Sequence, residues 1–386
     1  MKKYKLGDIC EIVSGSTPKT NIAEFWDGDV KWITPAELDE NTYIITDSVR
    51  KITDLAMQKT GLTAFPAGTV ILSSRAPIGK VAIAGCKMCC NQGFKNFICS
   101  ELVNNKYLYW FLKHNTAYLN SLGRGATFKE ISKSIVSSIE INLPSLEEQQ
   151  RVVDNIEKIS TIITLRKKEI SILDDLIKAR FIELFGEPGT NPMNWKETTI
   201  GEECFYIKDG PHKSLPDIGK ENGGHPFISV RNIVDGYINF SNAKYISDED
   251  YAAAIKKCHP EKGDMLYSKG GTTGIAKLID VEDKFANWVH VAVLKFGKEK
   301  LNGVFFENML NSTYCYEQSQ RLTKGIANRD LVLSAMAQIK MYRPPLELQN
   351  QFADFVSQID KSKATVQKAL DETQLLFDSL MQQYFG

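Results

Sequence analysis

Between residues 146 and 186, apolar side chains recur three and four positions apart: Val152, Ile156, Ile159, Ile163, Ile170, Leu173, Ile177 and Leu184, with Arg166 and Arg180 completing the stripe. The same spacing returns 200 residues later in Phe352, Val356, Ile359, Val366, Leu370, Phe377, Leu380 and Tyr384, with Lys363 and Thr373 at the two polar places. A 3,4 spacing held for about five heptads predicts a long helix with a coiled-coil seam. Each run opens with Leu-Glu-x-Gln, at Leu146 and Leu346, and closes with Phe-Gly, at Phe185-Gly186 and Phe385-Gly386. An apolar stripe has to be covered, and two helices with matching seams most simply cover each other. The first helix leads directly into the second half of the chain and the second helix starts from that half, so a short path makes the pair antiparallel. At 1.5 Å per residue each helix is about 60 Å long, and the expected object is a strut with a globular domain at either end.

Upstream of each helix the periodicity changes. Lys31-Trp32-Ile33-Thr34, Tyr43-Ile44-Ile45-Thr46, Thr69-Val70-Ile71-Leu72-Ser73 and Lys80-Val81-Ala82-Ile83-Ala84 are β-branched or alternating runs separated by Gly, Pro, Asn and Asp, which read as strands and turns. Residues 105–122 then read as one helix, with Tyr107, Leu108, Phe111, Leu112, Tyr118 and Leu119 at helical spacing before Gly123. The second half repeats the plan, with Pro226-Phe227-Ile228-Ser229-Val230 and Val291-Ala292-Val293-Leu294 as strands. The expected fold is α+β: two globular domains with mixed sheets in tandem repeat, joined by two long antiparallel helices with pseudo-two-fold symmetry. Its boundaries are 1–145, 146–186, 187–345 and 346–386. A repeat this long is not a solenoid unit.

Composition changes this picture little. Of 386 residues, 43% are hydrophobic and 24% charged, ordinary values for a soluble protein. No run approaches the length of a membrane span, so a cytoplasmic protein without membrane contact is expected. The eight cysteines are scattered along the chain without a paired pattern, which argues for reduced thiols rather than a disulfide framework. The 47 basic and 47 acidic groups cancel, but their distribution is uneven. Residues 75–133 hold nine basic groups against two acidic, and residues 269–329 nine against six, as a phosphate-facing surface would need.

Catalytic signatures fail one by one. Gly79-Lys80 lacks the upstream glycine and following hydroxyl of a phosphate-cradling loop, Cys86 and Cys89 lack a second pair, and Cys258-His259 stands alone. Asn142-Leu143-Pro144-Ser145 lacks the second proline and the aromatic of an amino-methyltransferase motif. No catalytic residue, metal site or cofactor is expected. Two loops per half remain that could meet a polyanion: Ser73 to Lys80 with Ser268 to Gly274, and Gly123 to Lys129 with Lys324 to Arg329. The competing reading is that their glycines are turn residues and their bases solvated.

Taken in order, Leu6-Gly7-Asp8-Ile9, Ser14-Gly15-Ser16-Thr17-Pro18, Ile78-Gly79-Lys80-Val81-Ala82, Asn91-Gln92-Gly93-Phe94, Thr127-Phe128-Lys129-Glu130 and Leu143 to Gln149 resemble the specificity subunit of type I restriction-modification systems. Asp209-Gly210-Pro211-His212, Val230-Arg231-Asn232-Ile233 and Lys262-Gly263-Asp264-Met265-Leu266 resemble a second half of another subtype. The resemblance implies a non-catalytic subunit that reads double-stranded DNA with two target recognition domains, one for each half of a split asymmetric site. It further implies that the helices dock two methyltransferase subunits, which supply the S-adenosylmethionine chemistry, and that restriction or motor subunits join them. Expected DNA-binding residues in the first half are Ser74, Arg75, Lys80, Asn91, Gln92 and Lys95, followed by Arg124, Thr127 and Lys129. In the second half they are His212, Lys213, Arg231, Lys269 and Thr272, followed by Lys324, Asn328 and Arg329. A coiled-coil adaptor without sequence-specific DNA binding is the alternative.

Overall fold

The structure is a computed structural model that describes residues 2–39, 42–75, 77–125, 129–326 and 328–386. Two compact units divide it, Met1–Lys167 with Gln367–Gly386, and Lys168–Val366. In the first unit a five-stranded sheet runs in the order Cys10–Ser14, Phe94–Cys99, Val70–Ser73, Val81–Ala84, Ile44–Ile45. Its first four strands are antiparallel neighbours and the last is parallel to Val81–Ala84. Val70–Ser73 and Val81–Ala84 are buried at every position, because the sheet is covered on both faces and neither face needs polar residues. On one face, Tyr107, Leu108 and Phe111 of the helix Asn105–His114 share a core with Val70, Leu72 and Val81.

The second unit repeats this sheet in the same order, Cys204–Asp209, Val291–Phe296, Met265–Ser268, Ala276–Leu278. The edge strand Ile44–Ile45 has no counterpart there among the described residues. Each unit adds a three-stranded sheet, with Trp26–Ile33 between Arg50–Ile52 and Cys89–Cys90 in the first and His225–Ile228 between Lys244–Ile246 and Ala286–Asn287 in the second.

The Leu-Glu-x-Gln motif opens the two long helices, Leu146–Phe185 and Leu346–Phe385, for a reason that the geometry makes plain. Gln149 is fully buried, accepts from the Asn104 amide at 2.8 Å, and donates to the carbonyls of Leu102 and Pro144 at 3.1 Å. Gln349 does the same with Asn302, Lys300 and Pro344, at 2.9, 3.1 and 2.8 Å. Asn104 and Asn302 are themselves N-caps, of the helices Asn105–His114 and Gly303–Leu310. One glutamine therefore locks each long helix to the globular part at a backbone site that would otherwise be a half-buried, unpaired amide.

All ten seam positions of each long helix are buried or half-buried. Within the first unit, Val152 and Ile156 share a core with Met381 and Phe385, while Arg166 donates to the Ala369 carbonyl and the Thr373 hydroxyl. Within the second, Phe181 and Phe185 pack on Phe352, and Lys363 pairs with Asp174 at 2.5 Å. Numbers that rise along one helix fall along the other, so the pairing is antiparallel as expected. Three of the four polar seam places are explained too: Arg166 and Thr373 meet each other, and Lys363 meets Asp174. The reading of residues 105–122 as one helix is corrected: Asn105–His114 and Thr116–Leu122 are separate, broken where Asn115 turns its side-chain amide onto the Phe111 carbonyl at 2.9 Å.

Phe352 is fully buried among the rings of Phe181 and Phe185, which in turn pack on Phe305 at 5.7 and 4.8 Å. Replacing it with alanine should cost about 3–5 kcal/mol, the range for deleting a core aromatic ring. Denaturant unfolding measures this, and a loss under about 1 kcal/mol would show that the cluster closes over the gap.

Candidate nucleic-acid interface

In both units the loop after the second short helix is closed at its neck by a two-residue bridge. Arg124 and Glu130 exchange backbone hydrogen bonds of 3.0 and 2.9 Å, and Lys324 and Asp330 do so at 2.9 Å each. The next residue ties the neck to the sheet: Ile131 donates to the Ser74 carbonyl at 2.9 Å and Leu331 to the Lys269 carbonyl at 2.7 Å. Arg124, Lys129, Lys324 and Arg329, which flank these necks, are exposed, as are Asn328 and Thr272. Thr127 lies outside the described residues.

The bases nearer the sheet behave differently. Lys95 is only 6% exposed, with its ammonium 3.3 Å from the Ser74 hydroxyl and 3.4 Å from the Glu130 carboxylate. Arg75 reaches the other oxygen of Glu130 at 2.8 Å. Burial would push the Glu130 carboxyl up, but the hydrogen bond and charge of Arg75 and the charge of Lys95 outweigh it and hold the group below the usual carboxylate range. Lys269, 5% exposed, lies 2.7 Å from Asp330 and 3.6 Å from Asp209. Lys80 turns away from the loops and donates to the carbonyls of Pro35 and Leu38 at 3.0 and 2.5 Å.

Backbone hydrogen bonds fix which positions of the two halves are equivalent. Ser74 donates to Gly93 and accepts from Ile131, as Lys269 donates to His290 and accepts from Leu331, so Lys269 occupies the place of Ser74 rather than of Arg75. Ser73 and Ser268 donate their loop-closing bonds to the carbonyls of Lys80 and Ile275, so Lys80 has no basic counterpart. Of the described bases expected to meet DNA, only Arg124 with Lys324, and Lys129 with Arg329, stand at equivalent positions.

Expected residues of the second unit do converge. His212, Arg231, Lys269, Asn328 and Arg329 line a cleft of about 490 Å³ together with Trp288 and His290, whose rings meet edge to face at 4.8 Å. Lys213 is exposed beside His212. Gly210 positions this strand end: a Cβ there would lie 1.7 Å from the Asn287 carbonyl oxygen. Gly15 has the equivalent place in the first unit, where a Cβ would lie 2.1 Å from the Asn91 oxygen. There Asn91 accepts from the Gly93 amide at 2.9 Å and exposed Gln92 meets Thr17. Trp288, His290, Glu130 and Asp330 were missed from sequence. The two acids could have been found, since they stand 200 residues apart in the matched loops.

No group of His, Cys, Asp and Glu able to hold a metal occurs among the described residues, and none of their helices is long and apolar enough to cross a membrane.

Comparison with known proteins agrees with this geometry. The family described as type I restriction modification DNA specificity domain matches residues 1–174 and 192–373. The type I restriction enzyme MjaIX specificity subunit of Methanocaldococcus jannaschii is 30% identical over 98% of this chain and 90% of its own. Among solved structures, the S subunit of a type I restriction-modification system from M. genitalium superposes with a TM-score of 0.58 at 16% identity, covering 100% of this chain and 96% of that one. A chain from a structure of the assembly and conformational transition of the type I R-M system gives 0.59 at 19% identity, covering 100% and 97%. With the family matched twice, in the order in which the fold repeats, the chain belongs to the type I restriction-modification DNA specificity family.

Proposed function

We propose that this specificity subunit reads a split, asymmetric duplex, one half-site by residues 1–145 and the other by residues 187–345. Residues 146–186 and 346–386 serve as spacer and as docking surface for two methyltransferase subunits, with restriction or motor subunits completing a cytoplasmic complex. The chain itself carries no catalytic step. One observation carries the reading: a common loop frame, held by the same backbone hydrogen bonds in both units, bears different side chains at its accessible edge. Asn91 and Gln92 stand on one frame, and His212, Arg231 and Asn328 on the other, which suits two readers of unlike sequence. Docking is supported by Leu165 and Leu375 in the first unit and Ile172 in the second, which are 59%, 70% and 54% exposed on the long helices.

The roles of the basic residues divide by accessibility. Arg124, Lys129 and Lys324 are exposed and can meet phosphate, as can Arg329 beside its hydrogen bond to Gln320, while Lys80, Lys95 and Lys269 hold the frame. Groups retained at equivalent places by two readers of different sequence hold the backbone rather than read bases. Replacing Arg124 or Lys324 with alanine should weaken binding to every duplex by a similar factor and lower the salt slope by about 0.9 per lost contact, with the preferred sequence unchanged. Titrations at several salt concentrations measure both. A changed base preference at one position with an intact slope would make that residue a base reader, and salt-independent or absent duplex binding would favour the adaptor instead.

A further inference from the structure

We infer that Glu130 and Asp330 are positioning residues for DNA binding: acids that strengthen the grip on a polyanion by holding the basic loops in place. The inference rests on the reading of these loops as facing DNA. An acid beside a phosphate-binding loop would by simple electrostatics weaken binding. Yet the two units keep an acid at the same place under the loop neck and supply it with a buried ammonium from different strands. In the first unit the lysine is Lys95, on the strand Phe94–Cys99; in the second it is Lys269, just after Met265–Ser268.

The sheet registers show that these are not equivalent positions. Leu72 pairs with Lys95 as Tyr267 pairs with Ala292, so the place of Lys95 is taken by alanine in the second unit, and the place of Lys269 by Ser74 in the first. Ser14, opposite Lys95, corresponds to Asp209, opposite Ala292, and Asp209 adds a second carboxylate to Lys269 at 3.6 Å. The ion pair has survived while its cation moved to a neighbouring strand. A requirement for the pair itself, rather than for either lysine, accounts for that. A lysine this deeply buried needs a charged partner, so in the first unit the acid cannot leave without freeing the ammonium, while in the second Asp209 would still face it at 3.6 Å; the necks so anchored carry Arg124 and Lys129 in the first unit and Lys324 and Arg329 in the second.

The test uses the full chain and a labelled duplex of arbitrary sequence, titrated at several salt concentrations. Glu130→Gln should bind three- to tenfold more weakly, although it removes a negative charge, and its salt slope should fall by about one to two as the flanking bases lose their phosphates. Asp330→Asn is the parallel change in the second unit. Lys95→Ala should reproduce the loss. Adding Ser74→Lys to Lys95→Ala moves the second unit's arrangement into the first, and should restore both affinity and slope. The Lys95 ammonium lies next to the Ser74 hydroxyl, so the space for the new side chain is the space vacated by the old one.

Three results would overturn the inference in distinguishable ways. If Glu130→Gln and Asp330→Asn bind as tightly as the parent or tighter while Arg124→Ala still weakens binding, the acids do not position the loops, and the interface reading stands. If affinity falls together with the thermal transition and Ser74→Lys rescues neither, the acid is merely structural. If neither Arg124→Ala nor Lys129→Ala changes affinity or slope, the loops do not face DNA and the reading beneath the inference fails.

Discussion

Purified without partners and given S-adenosylmethionine, ATP and magnesium, the chain should neither methylate nor cut DNA; with a methyltransferase partner it should direct methylation to one split site. The expectation rests on what the residues nearest to known chemistry are occupied in doing. Asn142 and Leu143 belong to the strand Glu140–Leu143, paired with Lys2–Lys5, and the Pro144 carbonyl accepts from Gln149. That segment is committed to starting the long helix. The Gly79-Lys80 pair closes the turn onto Ser73 and spends its ammonium on two carbonyls. Cys89 and Cys90 are buried in a strand, where burial pushes their thiols up to about 11 and about 12, the opposite of the depressed value that a reactive or metal-binding thiolate requires. Transfer of labelled methyl groups, measured with and without the partner, reads the difference as all or none. Activity intrinsic to a partner-free preparation would place chemistry in this chain.

Much of the architecture could be read in the sequence because it is periodic and local. The seam needs only the 3.6-residue helical repeat to appear, and every position assigned to it is at least half-buried, including the polar places where Arg166 meets Thr373. The repeated Leu-Glu-x-Gln marked the helix starts, but the reason for its glutamine lies in a contact with Asn104, 45 residues away, that no local pattern reports. The break at Asn115 escaped because the apolar spacing continues across it, while the backbone there leaves the helical range at a ψ of 18°.

The basic loops show the limit most clearly. Counting charges treats every lysine as exposed, and Lys95 and Lys269 are buried. A signal was present for the first, because Phe94-Lys95-Asn96-Phe97 sits in a strand buried at four successive positions, where a lysine must find an acid. The second gave no such signal, because Lys269 lies just past its strand and its acid partner Asp330 is 61 residues away.

The spacer carries the second large expectation. If the paired helices set the gap between half-sites, adding one helical turn of four residues to both, after Ile170 in the first and after Val366 in the second, should lengthen that gap. Four residues add about 6 Å and slightly more than one turn, so the seam stays nearly in phase and the insertion should be tolerated. Changing one helix alone would instead shift its whole stripe against the other, breaking meetings such as Lys363 with Asp174 and Arg166 with Thr373. At 3.4 Å per base pair, the expected gap is one to two base pairs longer. The half-site sequences should not change, because the insertions lie far along the chain from the loops that read them. Mapping methylated positions in cells that carry the variant and its methyltransferase partner separates the outcomes. The parent site should lose methylation, and the same two half-sites with the longer gap should gain it. An active variant that keeps the parent gap would show that spacing is set elsewhere, by the partners or by the duplex itself.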